Sequence, residues 1–307
     1  MNEGLLDLIN AEDILHLADA KQFCTFKVGG KIEYLICPKT LDNFCKYLAD
    51  LDNHNIKYKV VGNMSNILPC DGLNKGIYIT TRYIAEKPKF FGSSFTVCCG
   101  YSLSALSIKC AALGLGGIEN LCGIPATIGG AIYNNAGAFG QSISDCLESL
   151  LVYSNGKIIS VKADYAQLSY RSSAFQINKD VVLAATFKLK RQPIEMLIKN
   201  QQQVNAKRKS SQPMLPSAGS VFKKVSGVSA GQLIDQAGLK GVTVGKAQIS
   251  TIHAGFIVNL GGATSQDVKN LVILAQNTVE QKYNITLQRE IEYIGEIDEI
   301  NSRLSYP

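Results

Sequence analysis

GIPATIGGAIYNNAGAFG, residues 123–140, lies inside an uncharged run from Asn120 to Ser144, in a chain of 307 residues with 18% charged content. About twenty apolar residues are enough to cross a bilayer. This run, however, carries Asn120, Pro125, Asn134, Asn135 and Gln141, with glycine at 123, 129, 130, 137 and 140. Hydrocarbon would leave their polar groups and backbone unsatisfied. The run predicts a backbone-rich connection in a water-soluble fold, with no membrane insertion.

Outward from it, the first half alternates strand and helix patterns. KIEYLICP, KYKVVG and IYITTR read as strands, TLDNFCKYLADL as a helix capped by Thr40, and LSALSIKCAALGLGG as a buried helix stopping near Gly114. After Lys190 the texture changes to PIEMLIKNQQQVNAKRKSSQP, a helix opened by Pro193 and ended by the Lys-Arg-Lys-Ser-Ser cluster, which places a domain boundary near 190. Beyond it, SAGQLIDQAGLKG carries a capping box from Ser229 to Gln232 and a Gly238 stop, and HAGFIVNL reads as a strand. In TSQDVKNLVILAQNTVEQKY, Val268, Leu271, Val272, Ala275 and Val279 keep helical spacing and predict one core-facing side. ITLQREIEYIG closes the chain pattern as a strand.

Composition narrows the classes. A hydrophobic content of 46% excludes a disordered chain, and the length suits roughly two domains. The N-terminal MNEGLLDLINAEDILHLADA has acids and no bases, the reverse of a secretory leader. Nine cysteines without a C-x-x-C pair, and three histidines, predict no metal site and no disulfide framework. Reduced thiols packed as small core residues, in a cytoplasmic protein, fit that usage. Between Lys188 and Lys224 nine Lys or Arg face one acid, Glu195, which suits an anion or a solvated helix face. Nucleic acid is disfavoured, since aromatics are not interleaved with these charges.

Two loops suit an anionic cofactor. Gly62-Asn63-Met64-Ser65-Asn66 follows a strand and makes a tight turn presenting amide and hydroxyl donors. Gly123, Ile124, Pro125, Thr127, Ile128, Gly129 and Gly130, with Asn135 and Gly137, offer small residues against which a flat ligand can approach, and neutral N–H donors for a pyrophosphate. A GxGxxG after the first strand is absent, which disfavours a Rossmann dinucleotide site.

FKVGG (26–30), GNMSNIL (62–68), GIPATIGGAIYNNAGAFG, YRSSAF (170–175), PSAGSVF (216–222) and LQREIEYIG (287–295) stand in one order along nearly the whole chain. That ordered set resembles the UDP-N-acetylenolpyruvoylglucosamine reductases of peptidoglycan precursor synthesis. The resemblance implies an α+β fold: a two-lobed FAD-binding unit of the vanillyl-alcohol oxidase type, 1–80 and 81–190, followed by an α+β substrate-binding domain, 191–307. The short spacing from YRSSAF to PSAGSVF resembles the shorter class, which lacks an extra tyrosine-bearing loop. It further implies NADPH as hydride donor and UDP-N-acetylglucosamine enolpyruvate as substrate. No histidine lies between His54 and His253, so noncovalent FAD is expected.

The same resemblance assigns the chemistry. Arg171 matches the arginine that clamps the substrate carboxylate, and its planar fork suits that task. Ser220 matches the serine that protonates the carbanion. Glu290 matches a glutamate that, as an acid, would hydrogen-bond the developing aci-carboxylate; strand periodicity sets it beside Glu292 and opposite Leu287, Ile291 and Tyr293. The chain departs from the family at Met64 and Ala126, where glycine is frequent, at Lys224-Val225, which replace Asn-Pro, and at Gln288, which replaces a glutamate.

Overall fold

The computed structural model describes residues 8–225 and 227–295. The outer ends of the expected first and third segments, 1–7 and 296–307, lie outside the described residues. In chain order the main elements are β1 (Ile14–Asp19), β2 (Lys31–Ile36), α1 (Leu41–Asn53), β3 (Tyr58–Val61), β4 (Ile67–Pro69), β5 (Leu73–Thr80), β6 (Lys89–Phe91) and β7 (Ser94–Cys98). Then follow α2 (Leu103–Ala112), α3 (Ile128–Tyr133), β8 (Leu147–Ser154), β9 (Lys157–Lys162), β10 (Val181–Lys188) and α4 (Ile194–Ser211). The last are α5 (Ala230–Gln236), β11 (Ala247–Ile249), β12 (Ile257–Asn259), α6 (Ser265–Tyr283) and β13 (Glu292–Ile294). Helix and strand are mixed throughout, as the expected α+β class requires.

These elements form two compact units, neither continuous in sequence. Of the described residues, the first comprises those up to Leu15, Leu35–Asn63 and Ile77–Lys207; the second comprises His16–Tyr34, Met64–Gly76 and those from Arg208 onward. β1, β2 and β5 each contribute residues to both, and the late crossing falls inside α4.

The first unit is built on an antiparallel sheet in the order β9-β8-β10-β7-β6. β10 is its centre: Val181 through Ala185 and Phe187 are buried, and Phe187 stacks on Phe95 of β7 at 5.4 Å between ring centroids. Such a continuous apolar run belongs to a strand covered on both faces. Short α3 lies against β10. α1 begins as expected, with Thr40 Oγ1 accepting from the Asn43 amide at 3.2 Å, a cap that contributes about 1 kcal/mol. It buries Phe44, Tyr47, Leu48 and Leu51, one helical face. β3 pairs in parallel with the later half of β5, Tyr58 opposite Ile77 through Val61 opposite Thr80.

The second unit carries α6 over the β11–β12 hairpin. Thr264 and Asp267 form a reciprocal capping box at its start, and Val268, Leu271, Val272, Ala275 and Val279 are all buried, as the periodicity predicts. The expected box at Ser229 does not form. The Ser229 side chain accepts no capping bond, and the Gln232 amide donates to its backbone carbonyl at 3.0 Å. The strand expected over 285–295 shrinks to β13, a parallel partner of β4 in which Glu292 faces Ile67. Its side-chain alternation nevertheless holds: Leu287, Ile291 and Tyr293 are buried, while Glu290 and Glu292 are partly exposed.

Eight of the nine cysteines are buried, the core role expected of them. Among the described residues no helix is long and apolar enough to cross a membrane, and no His, Cys, Asp and Glu cluster could hold a metal.

Candidate functional site

In the first unit the two predicted cofactor loops meet. Asn63 Nδ2 donates to the Pro125 carbonyl at 2.9 Å, and a Cβ placed on Gly62 would run into Thr127 Oγ1. Only glycine permits that approach. The uncharged run is more than a loop, because Thr127 caps α3 within it, accepting from the Gly130 amide at 3.3 Å. The amides of Ile128 and Gly129 are engaged by the carbonyls of Tyr101 and Cys99, at 2.9 and 2.7 Å. They hold α3 to the end of β7, where Ile128 is fully buried, so any cofactor contact from Gly129 comes from its small size rather than its N–H group. Gly123 and Pro125 are exposed, and Ile124, Gly130 and Gly137 are partly exposed.

The turn after β3 keeps its donors available. Among the described residues no acceptor meets the amides of Asn63, Met64 or Ser65. Met64 has φ of +47°, the left-handed geometry that explains why glycine is frequent there. Ala126, by contrast, does not have positive φ, so alanine costs nothing in backbone strain there.

Arg171 is woven into the same unit. Its Nη1 and Nη2 donate to the carbonyls of Asn135 and Gly137, at 3.2 and 2.8 Å, and its guanidinium lies 5.4 Å from the Tyr170 ring centroid. Buried Asn135 answers by donating through Nδ2 to Ser169 at 2.8 Å. Ser173 and Gln176 both donate to the Tyr133 carbonyl, at 2.7 and 3.0 Å. YRSSAF and the end of the uncharged run are therefore one interlocked structure, with Arg171 at φ of +52°.

In the second unit Ser220 and Glu290 lie on neighbouring backbone segments. Ser220 is bridged to Phe256, and the next residue, Val221, accepts from the Glu290 amide at 2.7 Å. Ser220 is exposed and Glu290 partly so. Asn66 binds the same place, its Nδ2 donating to the Glu290 carbonyl at 3.0 Å while its own carbonyl accepts from the Glu292 amide. Met64 is buried and Ser65 partly exposed. Val225 donates to Val228 at 3.0 Å, a bond the family proline could not make.

Of the basic residues that could meet a diphosphate, Lys240 pairs with Asp235 at 3.0 Å, and Lys207 sits 5.4 Å from the Phe139 ring centroid. Arg208 donates to Gln212.

Several residues that organise these places escape a sequence reading. Gln141 receives the Asn120 amide and donates to the buried carboxylate of Glu119, both at 2.8 Å, closing the uncharged run at its base. Asn259 ends an apolar strand, and a lone amide side chain in such a run is the one signal that could have marked it.

Two family models match the chain: an FAD binding domain over residues 32–162, and the C-terminal domain of UDP-N-acetylenolpyruvoylglucosamine reductase over 210–294. Relatives named UDP-N-acetylenolpyruvoylglucosamine reductase include one from Caldicellulosiruptor bescii, 42% identical, covering 91% of this chain and 90% of its own length. Another, from Clostridium botulinum, is 36% identical, covering 94% and 95%. The crystal structure of the reductase from Thermus caldophilus superposes with a TM-score of 0.77 at 33% identity, over 92% of this chain and 98% of that one.

The first unit's residues fit FAD. The ligand would meet a surface of neutral, small residues whose loops pack too tightly for a side chain at Gly62, next to the Asn63 amide, which meets no acceptor among the described residues. Such a surface suits a flat ring system and a pyrophosphate.

Proposed function

The chain belongs to the UDP-N-acetylenolpyruvoylglucosamine reductase family and is a flavin-dependent oxidoreductase, and from that premise we propose that it uses NADPH to reduce UDP-N-acetylglucosamine enolpyruvate to UDP-N-acetylmuramate in the cytoplasm. Residues 1–80 and 81–190 are assigned to the cofactor and 191–307 to the substrate. The cradle consists of Gly62, Asn63, Met64, Ser65 and Asn66, with Gly123, Ile124, Pro125, Thr127, Ile128, Gly129, Gly130, Asn135 and Gly137.

FAD, when bound noncovalently and reduced by NADPH, supplies a hydride for the terminal carbon of the enolpyruvyl group. Negative charge then builds on the α-carbon and its carboxylate. Arg171 holds the carboxylate through N–H donors, which stabilises that charge as it develops. Ser220 Oγ–H delivers a proton to the α-carbon, completing the lactyl ether. Glu290, in its acid form, donates to a carboxylate oxygen and draws charge off the α-carbon.

The observation that carries this reading is the 2.7 Å bond from the Glu290 amide to the carbonyl of Val221. It ties the acid to the residue that follows the serine, so both groups are supplied by adjacent backbone. The test separates the half-reactions. Ser220→Ala is expected to keep NADPH-driven flavin reduction and to lose reoxidation by the enolpyruvyl substrate by about 10²–10⁴-fold; equal loss in both halves would overturn the serine's role.

A further inference from the structure

We propose that Thr25 is a positioning residue for Ser220, and that the loop around FKVGG serves the reaction by aiming that hydroxyl; the inference rests on Ser220 being the proton donor. Thr25 Oγ1 donates to the Ser217 carbonyl at 2.7 Å, three residues ahead of the serine. One residue earlier, the Pro216 carbonyl accepts from the Asn259 amide at 2.9 Å. On the far side, Val221 donates to Gly255 at 2.9 Å and accepts from Glu290. The segment is thus pinned at 216, 217 and 221, with buried Ala218 between.

Between the pins, Ser220 is itself bridged to Phe256, while the position before it is open. Gly219, at φ of +78°, has nothing within 4 Å of where a Cβ would stand, and Ser220 is exposed. A glycine next to the reacting residue leaves its direction to the restraints on either side. Downstream, the restraint is the backbone ladder to Gly255 and Glu290; upstream, it includes the hydroxyl of Thr25.

The loop that carries Thr25 is itself held firmly. Asn259, 4% exposed, donates through Nδ2 to the carbonyls of Phe26 and Lys27 at 3.2 and 3.0 Å. Its Oδ1 accepts from the amides of Gly261 and Ala263 at 2.8 and 3.0 Å. Every donor and acceptor of that side chain is used. Lys27 is kept at φ of +58°, a conformation a lysine adopts only when its surroundings impose it. So rigid a base under one hydroxyl, ending on the serine's segment, is what precise aim requires.

The experiment compares Thr25→Val, which keeps the shape and removes the donor, with Thr25→Ser, which restores it, and runs Ser220→Ala alongside. Anaerobic mixing follows flavin reduction by NADPH and then reoxidation by the enolpyruvyl nucleotide sugar. Amide hydrogen exchange at Val221 and Asn259 reports the loop directly. Thr25→Val is expected to slow reoxidation about 10–100-fold, the scale of a small misplacement of a reacting group. Reduction should stay within about twofold, exchange at Asn259 and Val221 should quicken, and Thr25→Ser should recover most of the rate.

Reoxidation at the wild-type rate in Thr25→Val, or equal slowing of both half-reactions, would overturn the positioning role while Ser220→Ala still identified the donor. Normal reoxidation in Ser220→Ala would instead overturn the assignment of the donor, and this inference with it.

Discussion

Arg171 Nη2 donates to the carbonyl of Gly137 at 2.8 Å. One arm of the guanidinium thus anchors the end of the uncharged run, and the other reaches Asn135 at 3.2 Å. The arginine proposed to hold the substrate carboxylate also shapes the loop proposed for the cofactor. A rigid fork with five N–H donors can do both; an ammonium is a single point.

Arg171→Lys should therefore fail on two counts. It cannot span both carbonyls, and it cannot grip a carboxylate bidentately. We expect kcat/KM to fall about 10²-fold, equivalent to about 2.7 kcal/mol, with weaker flavin retention. Steady-state kinetics and flavin content after desalting check both; wild-type values for each would refute the dual role.

Closure of the uncharged run depends on Gln141. Its amide joins Asn120 to Glu119, whose other carboxylate oxygen accepts from the Gly117 amide at 2.6 Å. Gln141→Leu leaves a buried carboxylate oxygen without its donor and the Asn120 amide without its acceptor. A loss of about 2–4 kcal/mol is expected in urea unfolding, since orphaned buried polar groups cost this much, together with faster loss of FAD.

Met64 sets two effects against each other. Glycine at φ of +47° would relieve about 1–2 kcal/mol of left-handed strain. Removing a methionine that is 3% exposed costs about 2–5 kcal/mol. Burial wins: Met64→Gly should destabilise by about 1–3 kcal/mol in denaturant titration, and a stabilised variant would show that the side chain packs poorly.

Burial lowers the pKa of His253 below its ordinary 6.5, and the ring accepts from the Gly255 amide through Nδ1 at 3.0 Å. Gly255 in turn accepts from Val221. The folded state binds this proton less readily than the unfolded one, so the neutral ring's contribution is complete above about pH 6.5 and is lost as pH falls through the folded pKa. Lys240 and Asp235 act on the ring with opposite signs. His253→Asn offers Gly255 an acceptor that does not titrate. Its stability should vary less with pH below 6.5 than that of the wild type, as thermal melts across a pH series would show; parallel curves would exclude His253 as a source.

Much of the fold was legible because it rests on local rules. Thr40 sits where a cap is needed, and the buried side of α6 repeats with the helical period. The ordered motifs gave the family, and alternation over 287–293 oriented Glu290. Ser229 shows the limit of such rules, since a capping-box pattern does not decide whether the hydroxyl turns toward the amide.

By itself, then, the sequence determined the secondary-structure pattern, the family and the residue types at its motifs, because periodicity and capping are properties of neighbours in the chain. Tertiary structure decided what those residues are joined to. The Ile128 and Gly129 amides go to Tyr101 and Cys99, Gly62 packs on Thr127, and the Ser220 segment lies between Thr25 and Glu290. Those bonds link residues tens to hundreds of positions apart, and a hydrogen bond between distant segments leaves no period in the sequence from which it could be read.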